Sequence, residues 1–184
     1  MASSEYKDLY RRIETLKRRF LPQLKKTGLY TNPQQDSMRA LRMLVHAEIE
    51  SYLESMAALL ADDLEKAITC ARGRVTNINL AWAIKGLNEA RVAQSGNNGV
   101  KGEDIRKMFV PLGIQAEALE AVSTVFLDRM STFGKNRGDV AHQSAARAGY
   151  ALSRQREEKF IDEIIVLLGL FDKFLIAHRL KATL

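Results

Sequence analysis

Cysteine, proline and histidine are scarce in this chain. The lone Cys70 has no second thiol, so an internal disulfide and a CxxC metal site are both excluded, and a reducing, cytoplasmic location is the expectation. Three prolines, Pro22, Pro33 and Pro111, in 184 residues rich in Ala, Leu, Glu, Lys and Arg argue against a turn-rich sheet protein and predict an all-α fold. No apolar run reaches transmembrane length and no charged-then-apolar leader is visible, so a membrane partner is not expected. The histidines, His46, His142 and His178, have no spaced ligands beside them; no metal and no cofactor are expected. Repeats, strand-like alternation and a composition break are also missing. With 46% hydrophobic residues, the chain 1–184 reads as a single domain with one substantial core.

What is present is uneven charge. Of a net +6, residues 1–30 alone carry +5: Lys7, Arg11, Arg12, Lys17, Arg18, Arg19, Lys25 and Lys26 against Glu5, Asp8 and Glu14. A basic segment of this kind attracts phosphates by counterion release, attracts an acidic partner, or solvates one face of a helix.

Apolar spacing predicts the helices. Leu9, Ile13, Leu16 and Phe20 define one over 4–21, and Leu41, Val45, Ile49, Tyr52, Met56 and Leu60 define a long one over 37–61, capped by Asp36 or Ser37. A shorter stretch with Leu64, Ala67 and Ile68 ends near Gly73, and another follows over 79–93. Residues 94–102, with Ser95-Gly96-Asn97-Asn98-Gly99, read as a flexible exposed loop without the spacing of a phosphate-binding loop. A short helix begins at Gly102, a longer one passes through Leu119, Val122, Phe126 and Met130 until Gly134 stops it, and a last one covers 155–178.

Between the last two lies Asn136-Arg137-Gly138-Asp139-Val140-Ala141-His142. An arginine followed by a histidine with four residues between them, at the junction between a long helix and the final one, resembles the signature of the HEPN superfamily. The early helix with Leu44-Val45-His46-Ala47-Glu48-Ile49-Glu50 is also similar, and the resemblance spans residues 37–178. It implies a helical bundle with long antiparallel helices and a metal-independent endoribonuclease with Arg137 and His142 as catalytic residues. It further implies that Glu50, or less readily Glu48, orients Arg137, with Asn136 and Asp139 as supporting polar groups. The position after the arginine departs from the pattern: it is commonly polar in active members and is Gly138 here. His46 and His178 are read as structural.

Histidine titrates near neutrality and suits proton transfer, while the guanidinium fork suits charge building on a phosphate. The substrate the resemblance implies is RNA, with Lys135, Arg147, Arg154 and Arg156 tracking its backbone. The resemblance implies a homodimer that brings two motifs to one cleft, and a toxin or antiviral defence effector restrained by an antitoxin or regulatory protein. Two alternatives stand beside it: a non-catalytic HEPN-like module that binds RNA, nucleotide or a partner protein, and a helical adaptor whose basic first helix is the contact surface.

Overall fold

The structure, a computed structural model, describes residues 2–71, 76–142 and 151–180, with residues 137–142 described by backbone alone. Its regular structure there is all-α: α1 (Ser4–Phe20), α2 (Asn32–Ala71), α3 (Asn77–Ser95), α4 (Gly102–Phe109) with a 3-10 turn at Val110–Leu112, α5 (Ala116–Ala121), α6 (Phe126–His142) and α7 (Arg154–His178). No strand occurs among the described residues. No described helix is long and apolar enough to cross a membrane.

Local chemistry accounts for the boundaries. Ser3 caps α1 by accepting the Tyr6 N–H at 3.0 Å, with Glu5 in the first turn and Lys17, Arg18 and Arg19 in the last, as the helix dipole favours. α2 begins earlier than its apolar stripe predicts. Gln34 Oε1 accepts the Thr31 N–H at 3.1 Å, half of a capping box, and Pro33 occupies a first-turn position where no donor is needed. Ser37 is thus inside the helix, and its hydroxyl donates to Phe20 O at 2.7 Å.

Nor does α2 stop near residue 61. It runs for 40 residues, about 60 Å of helix, because neither Pro nor Gly occurs between Pro33 and Gly73. Within it Asp63 is buried and takes a two-pronged contact from Arg179, Nε to Oδ2 at 2.7 Å and Nη2 to Oδ1 at 3.0 Å.

The reverse correction applies at the expected helix 119–133. It is broken at residues 122–125, where the Phe126 N–H turns back to Ser123 O at 3.0 Å, and α6 then continues through Gly134 to His142. Gly134 marks close packing, not a stop. A Cβ there would lie 2.7 Å from Lys101 Cγ, so the segment after α3 seats directly on α6. That segment is correspondingly not an exposed loop throughout: Gly99 and Val100 are buried, and Asn97 Nδ2 donates to Glu54 Oε1 at 2.9 Å.

Pairings between helices fix their directions. Gln35 with Leu152, Arg42 with Glu157 and Tyr52 with Asp172 ascend together, so α2 and α7 are parallel. Tyr6 with Ile165 and Pro22 with Arg154 make α1 antiparallel to α7, as do Phe126 with Phe171 and Phe133 with Phe160 for α6. The carboxyl-terminal ends of α1 and α6 and the amino-terminal ends of α2 and α7 therefore gather at one end of the bundle. There Gln35 clamps the entry to α7, its Oε1 accepting the Leu152 N–H at 2.7 Å and its Nε2 donating to Leu152 O at 3.1 Å. Between the ends lies a core built on Leu41, Val45, Ile49, Phe126, Phe171 and their neighbours, while α3 covers the distal half of α2 through Ala61, Ile68 and Leu87.

Asp172 is fully buried on α7 and joins three elements. Its Oδ2 accepts the Ser3 N–H at 2.8 Å, and its Oδ1 accepts the Tyr52 hydroxyl at 3.1 Å and also the Ser3 hydroxyl. Burial first, and the adjacent Asp172 charge second, push the Tyr52 phenol far above its ordinary value. A raised phenol pKa stabilises the fold at every pH below the ordinary value of about 10, and that contribution declines as the pH climbs beyond it. Urea midpoints should hence fall steeply above about pH 10, and Tyr52→Phe should flatten that fall; parallel curves for the two proteins would refute the assignment.

Candidate active site at one end of the bundle

α6 carries the Arg–His segment in its own final turns, so the segment belongs to the end of a helix instead of a loop after Phe133. The side chains of Arg137, Asp139 and His142 lie outside the described residues, as does Arg147 altogether. Backbone register still constrains them. Position 137 is one turn beyond Phe133 and continues its stripe, whereas position 142 is rotated by about 140° from 137 and displaced about 7.5 Å along the axis. The two positions are not stacked on one face.

The wall facing this end of α6 comes from α2. Arg42, His46 and Glu50 recur every four residues and so form one polar stripe, set between the apolar residues that fill the rest of that surface. His46 is 2% exposed; its ring stacks on Phe133 with centroids 6.0 Å apart and planes 13° apart, and Phe133 in turn meets Phe160 of α7. His46 Nδ1 is 3.7 Å from Glu50 Oε2. One turn back, Arg42 grips Glu157 of α7 with both prongs, Nε to Oε2 at 2.5 Å and Nη2 to Oε1 at 2.6 Å.

That ion pair is largely withdrawn from water, with side chains 12% and 8% exposed. Two buried charges are tolerable only where each meets the other at hydrogen-bond distance, which the planar fork achieves. Its effect is geometric: it ties the start of α7 to α2 directly below His46.

Several expected site residues fall elsewhere. Glu48 sits two positions from Glu50, about 200° around α2, and accepts Arg12 Nε of α1 at 2.8 Å; it does not belong to the α6 side. Glu50 does, through its place on the His46 stripe. Arg154 is occupied in building the fold, donating from Nε to Pro22 O at 3.1 Å and pairing with Glu158 at 2.7 Å, which removes it as a free phosphate contact. Lys135 and Arg156 are exposed, and Asn136 is half-buried. Among the described residues no three of His, Cys, Asp and Glu are grouped to hold a metal ion.

Arg42 and Glu157 are members of this cluster that sequence reasoning passed over, and His46 is one that it read as structural. The available signal was the four-residue repeat of ionisable groups inside an apolar helix surface. Glu157 left no such trace, since a carboxylate in the first turn of a helix ordinarily serves the dipole.

Compared with known protein families, curated proteins and solved structures, the chain matches none.

Proposed function

We propose that this chain is a metal-independent endoribonuclease of the HEPN type, with Arg137 and His142 as its catalytic residues. The observation that carries the reading is the juxtaposition at the bundle end: the Arg–His segment closes a helix whose Phe133 rests on His46 of the Arg42–His46–Glu50 stripe. Of that stripe His46 is buried and Arg42 and Glu50 are partly buried, and polar groups withdrawn from water are costly to maintain without partners.

In the proposed reaction the ribose 2′-oxygen attacks the adjacent phosphorus and loses its proton, the bond from phosphorus to the 5′-oxygen breaks, and that oxygen gains a proton. His142 moves the protons, and Arg137 neutralises charge that grows on the phosphate oxygens in the transition state. The products are a 2′,3′-cyclic phosphate and a 5′-hydroxyl. A single chain contributes one His142, so separate acid and base groups require a second copy related by a two-fold axis, which is why a homodimer is part of the proposal. Single-stranded RNA is the fitting substrate because a duplex resists the in-line geometry of the attack. A toxin or defence role, with an antitoxin or other regulatory protein as partner, is the biological setting the proposal carries.

Gly138 and the rotation between positions 137 and 142 favour a second reading, an RNA-binding HEPN-like module without cleavage. Incubation of the purified chain with RNA in excess chelator separates the two. Under the first reading cleavage persists in chelator, with a pH dependence in the histidine range, and disappears in Arg137→Ala/His142→Ala. Under the second, RNA is retained intact.

A further inference from the structure

The basic amino-terminal segment is not uniformly available to a ligand. Arg11 is paired with Asp8, Arg12 with Glu48 at 2.8 Å, and Lys17 with Glu14 and Asp162 at 2.8 and 2.6 Å. Burial pulls the Lys17 pKa down, yet its hydrogen bonds to those two carboxylates prevail and hold it above the ordinary value. These three cations serve the fold or are already compensated.

Of the remaining five, Lys7 lies alone near the start of α1, and the other four cluster at the carboxyl-terminal end of α1 and in the turn after it. Arg18 makes only long contacts to Glu14 O and Thr15 Oγ1, at 3.3 and 3.4 Å, and Arg19 lies over the Phe20 ring at 5.6 Å. Lys25 Nζ donates to the neutral Gln34 amide at 3.0 Å and lies over the Tyr30 ring at 5.7 Å, and Lys26 is exposed. Among the described residues none of these four has a carboxylate within ion-pair distance. Elsewhere Arg91, Arg106, Lys107 and Arg179 have carboxylate partners, while Lys7, Lys66 and Lys173 stand exposed without one among the described residues.

The four lie at the end of the bundle where α6 terminates, because Phe20 O is bonded to Ser37 of α2 and Pro22 O to Arg154 of α7. Exposed Lys135 and Arg156 belong to the same end. We infer that Arg18, Arg19, Lys25 and Lys26 form a track for the phosphodiester backbone of single-stranded RNA, leading onto the bundle end that carries Arg137 and His142. Two guanidinium forks and two ammonium groups without carboxylate partners among the described residues are a set that repeating phosphates neutralise without displacing an existing ion pair. The apolar face of α1, with Leu9, Ile13 and Leu16, is consumed by the core, so the helix has no apolar face to insert into a lipid surface. This inference shares with the proposed function only RNA as the ligand and does not depend on cleavage.

A labelled 2′-O-methyl oligouridine, which lacks the attacking hydroxyl, allows binding to be read apart from any cleavage. Its anisotropy is followed from about 50 to 200 mM salt with the whole 184-residue chain. The variant Arg18→Gln/Arg19→Gln/Lys25→Gln/Lys26→Gln should bind at least about tenfold more weakly at the low-salt end, with the slope of log K against log salt reduced by about 2 to 3. A charge-matched control, Arg11→Gln/Arg12→Gln/Arg106→Gln/Lys107→Gln, should change affinity by less than about twofold. Circular dichroism and unfolding midpoints verify that both fold. Equal weakening by the two variants would show net charge alone at work and overturn the track; so would unchanged binding by the first, or a wild type that binds phosphatidylserine vesicles but not the oligonucleotide.

Discussion

His142→Ala is expected to lower RNA cleavage by about 10²- to 10⁴-fold, the range typical of removing a group that transfers a proton in the transition state. Binding of a non-cleavable RNA should stay within about twofold of wild type, because the lost interaction is expressed in the transition state and not in the ground-state complex. Arg137→Lys keeps the charge but loses the planar fork, so cleavage should fall severely with a modest loss of binding. Single-turnover rates and anisotropy measured on the same preparations check both. Cleavage by His142→Ala at the wild-type rate would end the assignment.

Glu157→Ala is expected to cost about 3 to 5 kcal/mol of folding stability, since it takes the facing carboxylate from an Arg42 guanidinium whose side chain is only 12% exposed. Arg42→Met/Glu157→Leu, which removes both charges and keeps volume, should recover most of that loss, in line with the general result for buried pairs. Urea unfolding of the three proteins measures it. A loss below about 1 kcal/mol would mean that water reaches the pair and that it behaves as a surface ion pair. Because this pair fixes α7 to α2 beneath His46, the single variant should also impair cleavage, whereas the double variant separates loss of the charges from loss of the fold.

The helices themselves were legible wherever an apolar stripe met a local signal. α1, α3 and α7 follow their predicted spans closely, and α4 begins where predicted, because apolar periodicity and turn residues there point the same way. What lay beyond local reading was packing by partners distant in sequence. Asp63, inside α2, is met by Arg179, and Gly134, inside α6, is packed against Lys101. No local rule contains either fact. The candidate site shows the same division: Arg137 and His142 stand out by spacing, but the Arg42–Glu157 clamp spans 115 residues and becomes visible only once α2 and α7 lie side by side. Likewise Glu48 and Glu50 are equivalent as text, and only the positions of α1 and α6 around α2 assign one to Arg12 and the other to the His46 stripe.

The central claim, that this bundle end cuts RNA by 2′-hydroxyl attack, is tested most directly by the chemistry of the product ends. Intact-mass analysis of a defined single-stranded RNA, incubated with the purified chain in excess chelator, should find fragments ending in a 2′,3′-cyclic phosphate, or its 3′-phosphate hydrolysis product, paired with 5′-hydroxyl fragments, and none with Arg137→Ala/His142→Ala. Fragments with 3′-hydroxyl and 5′-phosphate ends, or cleavage that vanishes in chelator and returns with magnesium, would contradict it.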